Sequence, residues 1–392
     1  MQRLLVLPAV GIFLVSASAF SQATFSGYMF GDYYYNVARD SSFNHTPPSY
    51  SGLSASAPGP KAMQAFQFRR IYFTMDDNIS GVFSTRLRLE ADQAATPGIT
   101  SPVGTNPPTS EDELVSGKVA PYIKEAWLRW KNIFAGSNFT LGLQLTPGFA
   151  LTEAAWGNRF LQRTLMDQNG IVSAFDLGMS LRGKLTPDSM VNYWVMIGNN
   201  DVTSTIPENN KYKRYYANIQ VLPATNWQAT AYVDYADAGD IPNIARTGLV
   251  LNSALTEALF AGYGKSSLSL TGPTQTSVGA EVFMQEQSNG YKTSSGNLAA
   301  RNVLGYWVYG EYYFIPEISA VARYDHFDPN TGSDNAAKGD SRNYALGGIV
   351  FRPDKSVFIS PNLLWESYAT PVGGTAIKPS VTARLTFWYL YM

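Results

Sequence analysis

The chain has no cysteine and only two histidines among 392 residues. These absences remove disulfide stapling, thiolate metal sites and cysteine nucleophiles, and they leave no histidine-rich ligand set for a transition metal. No cofactor is expected. Charge is scarce as well: Asp, Glu, Lys and Arg make up 15%, against roughly 25% in an ordinary soluble chain. The 29 Lys and Arg nearly cancel the 30 Asp and Glu, for a net charge of -1. With no dense basic stretch, this balance argues against nucleic acid as a partner. Long apolar runs are missing beyond the N-terminus, where nothing approaches the roughly 18 residues of a spanning helix. What is plentiful is aromatic. The 24 Tyr, 21 Phe and 8 Trp are side chains that suit strands and membrane interfaces. With a mean hydropathy of -0.13, the composition describes a wall that is apolar on one side and polar on the other.

The first 23 residues read as an export signal: Met1-Gln2-Arg3 is a basic start, Leu4 to Val15 an apolar stretch, and Ser16 to Ala19 supply small residues before cleavage. Cleavage is expected after Ala19 or Ala23. Residues 24–392 then form one domain.

From there the dominant period is two. Ser84, Arg86, Arg88, Glu90 and Asp92 alternate with Phe83, Leu87, Leu89 and Ala91. Thr140 and Gln144 alternate with Leu141 and Leu143, and Thr382, Arg384 and Thr386 with Ala383, Leu385 and Phe387. Successive strand side chains point to opposite faces, so each segment carries one apolar and one polar surface. The strands run about 10 to 12 residues, long enough for a tilted bilayer crossing. Short connections such as Asp76-Asp77-Asn78 and Thr186-Pro187-Asp188 alternate with long ones at 38–64, 93–118, 147–173, 200–210, 288–302 and 329–341. That is the rhythm of an outer-membrane barrel with tight turns at one end and long loops at the other. Aromatic clusters such as Tyr33-Tyr34-Tyr35 are placed at an interface belt. Because every backbone group must be satisfied within a bilayer, the expected fold is all-β: a closed transmembrane antiparallel β-barrel of about 16 strands, its lipid-facing side in the bacterial outer membrane. The tenth strand, within 245–276, has no clear register.

Four stretches resemble the phosphate-selective porins O and P and their broader porin relatives. They are Phe68-Arg69-Arg70-Ile71-Tyr72-Phe73; Tyr122 to Trp127 leading on to Gly142 through Pro147; Thr152-Glu153 through Gln162-Arg163-Thr164 to Asp176-Leu177-Gly178; and Ala322 through Pro329. The resemblance implies a 16-stranded barrel, a homotrimer, and a loop after Pro147 that folds into the pore. Residues 147–173 contain no Lys, only Arg159 and Arg163 against Glu153 and Asp167, so these four are the candidate constriction charges and the selectivity expected of them is weak.

Alternation also assigns the wall. Inward basic candidates are Arg70, Arg86, Arg88, Arg129, Lys131, Arg182, Lys184, Arg214, Arg323 and Arg384; inward acidic ones are Glu90, Asp92, Glu125, Asp176, Asp234, Glu281, Glu311, Asp325 and Glu366. The lists nearly balance, and each member could equally be a wall ion pair. Lys211, Lys213 and Arg214 form a short basic cluster, which fits the outer mouth of a pore, a contact with acidic lipid headgroups or a solvated strand end equally well. Enzyme chemistry finds little footing: His45 sits in a Pro/Ser-rich loop, and His326 lies beside Asp325 with no nucleophile in reach by sequence. The expected function is passive, non-enzymatic diffusion of small polar solutes or ions. A phosphate- or anion-selective channel is the alternative within that class, and a plugged structural or adhesin barrel is the alternative outside it.

Overall fold

In the computed structural model the described residues are 23–40, 61–92, 121–200, 211–242, 249–264, 276–293, 297–332, 341–370 and 374–391. The expected export signal, His45 and most of the first two long loops lie outside them. Sixteen strands follow one another in sequence and close into a single antiparallel barrel. They are β1 (Thr24–Ala38), β2 (Gln64–Asp77), β3 (Phe83–Asp92), β4 (Tyr122–Phe134), β5 (Ser137–Leu145), β6 (Phe175–Lys184), β7 (Val191–Gly198) and β8 (Arg214–Val221). The second half comprises β9 (Trp227–Pro242), β10 (Leu249–Tyr263), β11 (Thr276–Lys292), β12 (Leu298–Ile315), β13 (Ile318–Asp328), β14 (Arg342–Asp354), β15 (Val357–Tyr368) and β16 (Ser380–Leu390). Closure comes from β1 pairing with β16, Asp32 opposite Thr386 and Tyr34 opposite Arg384. Closure leaves no strand edge unpaired, which is what a bilayer demands.

The two-residue period sorts the side chains. Leu141, Leu177, Met179 and Leu385 are about half exposed on the outside, whereas Thr140, Ser180, Arg384 and Thr386 are buried towards the lumen. Leu143 keeps the outward register of Leu141 but is covered. At the tight turn between β4 and β5, Gly136 adopts φ 73°, a left-handed conformation that glycine enters without a Cβ clash.

The strands depart from simple alternation in three informative places. Between Phe30 and Gly31 the β1–β2 register slips, leaving Arg69 as an extra residue in β2. Between Arg88 and Leu89 the β3–β4 register slips likewise, leaving Lys124 as an extra residue in β4. A bulge of this kind re-aims the side chain it carries; Arg69 and Arg70 both turn inward, and so do Lys124 and Glu125. Thirdly, residues 288–302 are mostly strand rather than loop: β11 and β12 run on to Lys292 and from Leu298, with a further register slip between Gln287 and Tyr291. The tenth strand, unplaced by its glycines in sequence, pairs with both neighbours, without a slip against β11 and with one slip against β9 between Asn252 and Ser253. The tyrosine triplet is not a belt as a unit, because alternation sends Tyr34 into the lumen at 1% exposure while Tyr35 faces out.

Candidate functional site: the lumen and its inserted segment

Between β5 and β6, residues 147–173 do not cap the barrel but turn into it. They carry two short helices, α1 (Ala150–Trp156) and α2 (Leu165–Gln168). Gly157, at φ 66°, ends α1 in the left-handed region and lets the chain double back. The apolar residues spaced through the segment explain why it stays inside. Phe149, Trp156, Phe160, Leu161, Leu165 and Met166 are all buried. Trp156 meets Trp307 edge-on at 5.8 Å and Tyr309 at 4.8 Å, and Phe160 meets Phe358 at 5.7 Å.

Polar anchors fix the same segment from several strands. Thr152 Oγ1 donates to Glu281 Oε1 at 3.0 Å, and Asn158 Nδ2 to Glu311 Oε2 at 2.8 Å. Wall arginines donate to its carbonyls: Arg384 to Leu161 at 2.8 Å, Arg323 to Arg163 at 2.6 Å and Arg214 to Ile171 at 3.3 Å. Arg69 reaches Phe160 and Leu161, and Arg342 reaches the Asn169 side chain. Each such arginine is also held by a carboxylate. Arg323 forks onto Asp325 with both contacts at 2.7 Å, Arg214 meets Asp234 and Arg384 lies 4.0 Å from Asp32; Arg352 in turn holds Glu311, the acceptor of Asn158. Arg69 meets Asp32, and Arg342 lies 4.0 Å from Glu366. Burying these charges requires such pairing and further hydrogen bonds. Asp176 is satisfied by the Tyr216 hydroxyl and the backbone amides of Asn199 and Asn200. Arg214 is therefore buried in the wall rather than part of an outer basic cluster with Lys211 and Lys213.

The four candidate constriction charges do not oppose one another across a gap. They pair among themselves. Arg159 lies 3.1 Å from both Glu153 and Asp167, and Arg163 lies 3.7 Å from Asp167. Glu153 keeps 26% of its side chain exposed, but it stands deep inside the protein. Burial pushes its carboxyl above the ordinary 4.5, against the pull of Arg159 and with the push of Asp167. Burial acts on Asp167 in the same sense, yet Arg159, Arg163 and then Arg70 and Lys124 hold it below the ordinary 3.8. Those last two residues belong to β2 and β4, so the segment's charged face looks towards the wall formed there.

That wall carries a different population. Arg70 and Lys124 share Glu90, the latter at 3.1 Å. Arg88 meets Glu125 at 2.6 Å, and Arg86 meets Asp76 at 2.7 Å. Asp92 ends β3 opposite Arg70 in register. Nearer the short turns the wall opens on a cavity of about 840 Å³ lined chiefly by β2 to β8, with Arg86, Arg129, Lys131, Arg182 and Lys184 facing Asp76, Asp77 and Glu125. Over β2 to β6 cations thus outnumber carboxylates, whereas behind the inserted segment buried arginines and carboxylates are matched in ion pairs. The balance read from sequence holds for the wall behind the segment and fails for the open wall.

Alternation missed Arg69 and Lys124 because only a bulge turns them inward. It could have found Asp32, Arg342 and Arg352, which follow the inward period of their strands. The inserted segment's polar anchors carry no sequence signal of their own.

No family model matches the chain, and no curated protein matches it. Solved structures do. The outer membrane channel DcaP of Acinetobacter baumannii aligns at 12% identity over 96% of this chain and 99% of its own, with a TM-score of 0.61. The anion-selective porin from Comamonas acidovorans aligns at 10% identity over 95% and 100%, with a TM-score of 0.59. OmpT of Vibrio cholerae aligns at 10% identity over 95% and 99%, with a TM-score of 0.58. At such identities the likeness is one of architecture, and it agrees with the broad part of the resemblance seen in sequence. This chain has the fold of the outer-membrane porins.

Proposed function

We propose that the protein is a porin of the bacterial outer membrane, through which small hydrophilic solutes and ions diffuse passively, and that anions are preferred. A barrel of about this size leaves a lumen that side chains cannot fill, and here a loop narrows it from one side. The observation that carries the reading is the division of the lumen by residues 147–173. The segment covers the half of the wall whose arginines and carboxylates neutralise each other in buried pairs, and leaves the solute path against the half where Arg86, Arg88, Lys124, Arg129 and Arg182 prevail. Charges close to a narrow path act with little screening. The four charges of the segment cancel in number, so the wall opposite sets the sign. The chain performs no covalent chemistry in this reading. Assembly as a homotrimer in outer-membrane lipid accompanies it, as one OmpT structure is described as a trimer form.

Reconstitution of the folded protein into planar bilayers tests this. Stepwise, ohmic conductance is expected, with permeation of small uncharged solutes in a liposome-swelling assay. A folded, inserted barrel that passes neither ions nor solutes would show that the inserted segment plugs the lumen and that the protein is a structural or adhesive barrel.

A further inference from the structure

Two guanidinium groups on the open wall have no carboxylate at ion-pair distance among the described residues. Arg129, on β4, lies flat on the Trp127 indole with its Cζ 4.3 Å from the ring centre, and its Nε donates to Thr140 Oγ1 at 3.3 Å. Arg182, on β6, lies on the Trp194 indole at 4.7 Å and is exposed to the lumen. Strand β5 runs between them, pairing Thr140 with Arg129 and Asn138 with Arg182. Both arginines line the cavity of about 840 Å³ at the short-turn end. Three carboxylates share this surface, Asp76, Asp77 and Glu125; Asp76 and Glu125 are already held by Arg86 and Arg88.

A guanidinium stacked on an indole is fixed in orientation, and its N–H edge stays free to grip a carboxylate with two parallel hydrogen bonds. Two such forks, pre-set by rigid aromatic beds on either side of β5, present a pair of separated anion sites. The intervening surface is neutral and polar, with Thr140, Asn138 and Ser180. We propose that Arg129 and Arg182 form a solute-binding subsite, distinct from the inserted segment, that takes a short dicarboxylate with one carboxylate on each guanidinium. The subsite rests on the lumen being a solute path. It would hold such a dianion briefly on its way through, at the short-turn end.

Two readouts keep the subsite and the channel apart. Single-channel current in chloride, with succinate added on both sides, reports block; the intrinsic fluorescence of the solubilised protein reports binding near Trp127 and Trp194. Succinate is expected to block and to perturb the fluorescence at concentrations where propionate does neither. Arg129→Gln with Arg182→Gln should raise the half-blocking concentration at least tenfold. Arg182→Gln alone removes no ion pair from the fold and should raise it several-fold. Arg129→Lys with Arg182→Lys keeps the charge but loses the forks, and should also weaken block. Equal block of the wild type and the double Gln variant overturns the subsite, as does stronger block by inorganic phosphate than by succinate. A wild type that conducts but does not respond to succinate also overturns it while leaving the channel standing. Succinate binding without conductance would sink the channel and keep the subsite.

Discussion

Arg159 holds two carboxylates at once, Glu153 and Asp167, and this one contact decides what the inserted segment shows to a passing ion. Burial and Asp167 push Glu153 up, while the cations around Asp167 hold it down. As pH falls from 7 towards the ordinary carboxylate value, Glu153 therefore takes up a proton first and Asp167 stays charged. The pair of raised and lowered groups fixes the sign. Stability contributed by ionised Asp167 is lost only below its ordinary 3.8, whereas protonation of Glu153 favours the fold from a higher pH. Loss of the Glu153 charge leaves the segment with one surplus cation. Anion preference should rise as pH falls from 7 towards the ordinary carboxylate value of 4.5, and Glu153→Gln should show the raised preference at pH 7 with no further change on acidification. A pH response that survives in Glu153→Gln would assign the titration to another group. Changing both Arg159 and Arg163 to Glu should move the reversal potential towards cations, and Lys61→Glu, at an exposed loop position, should move it far less. The residue types were legible in the sequence; their pairing with each other, rather than across the pore, was not, because it depends on how the chain turns back at Gly157.

Strands were the most readable elements. Side chains of Ser84 to Glu90 and Thr382 to Thr386 fall where a two-residue period puts them, since a one-residue slip would drive every charge into lipid. The period breaks at bulges, and Arg69 and Lys124 were lost there for that reason. Leu177→Arg places a cation on the lipid face and should cost roughly 2–4 kcal/mol of folding stability. Gln220→Arg, on the cavity side, should fold like the wild type in the same urea titration. Equal losses would contradict the assignment of faces. Trp156 is the largest of the inserted segment's buried apolar side chains, so Trp156→Ala should remove roughly 3–5 kcal/mol of its packing. The barrel should remain folded, while the segment loosens and single-channel conductance becomes larger and noisier; conductance identical to wild type would mean that the segment does not bound the path.

At the scale of the whole molecule, composition indicates a nearly neutral barrel, and a neutral barrel predicts little selectivity. The proposed anion preference departs from that expectation without changing a single charge. Asp234, Glu311 and Asp325 lie buried in pairs with Arg214, Arg352 and Arg323 on the side where the inserted segment packs, whereas on the other side Arg70, Arg86, Arg88, Lys124, Arg129 and Arg182 outnumber Asp76, Glu90 and Glu125. Segregation of this kind is invisible in sequence because it is a property of which wall the loop leans on. The most direct measurement is the reversal potential of the reconstituted wild-type channel under a tenfold potassium chloride gradient at neutral pH. The sign of an anion-preferring pore is expected, shrinking as ionic strength is raised on both sides. A potential of zero, or one of the cation-preferring sign, would contradict the division of the lumen on which the functional reading depends.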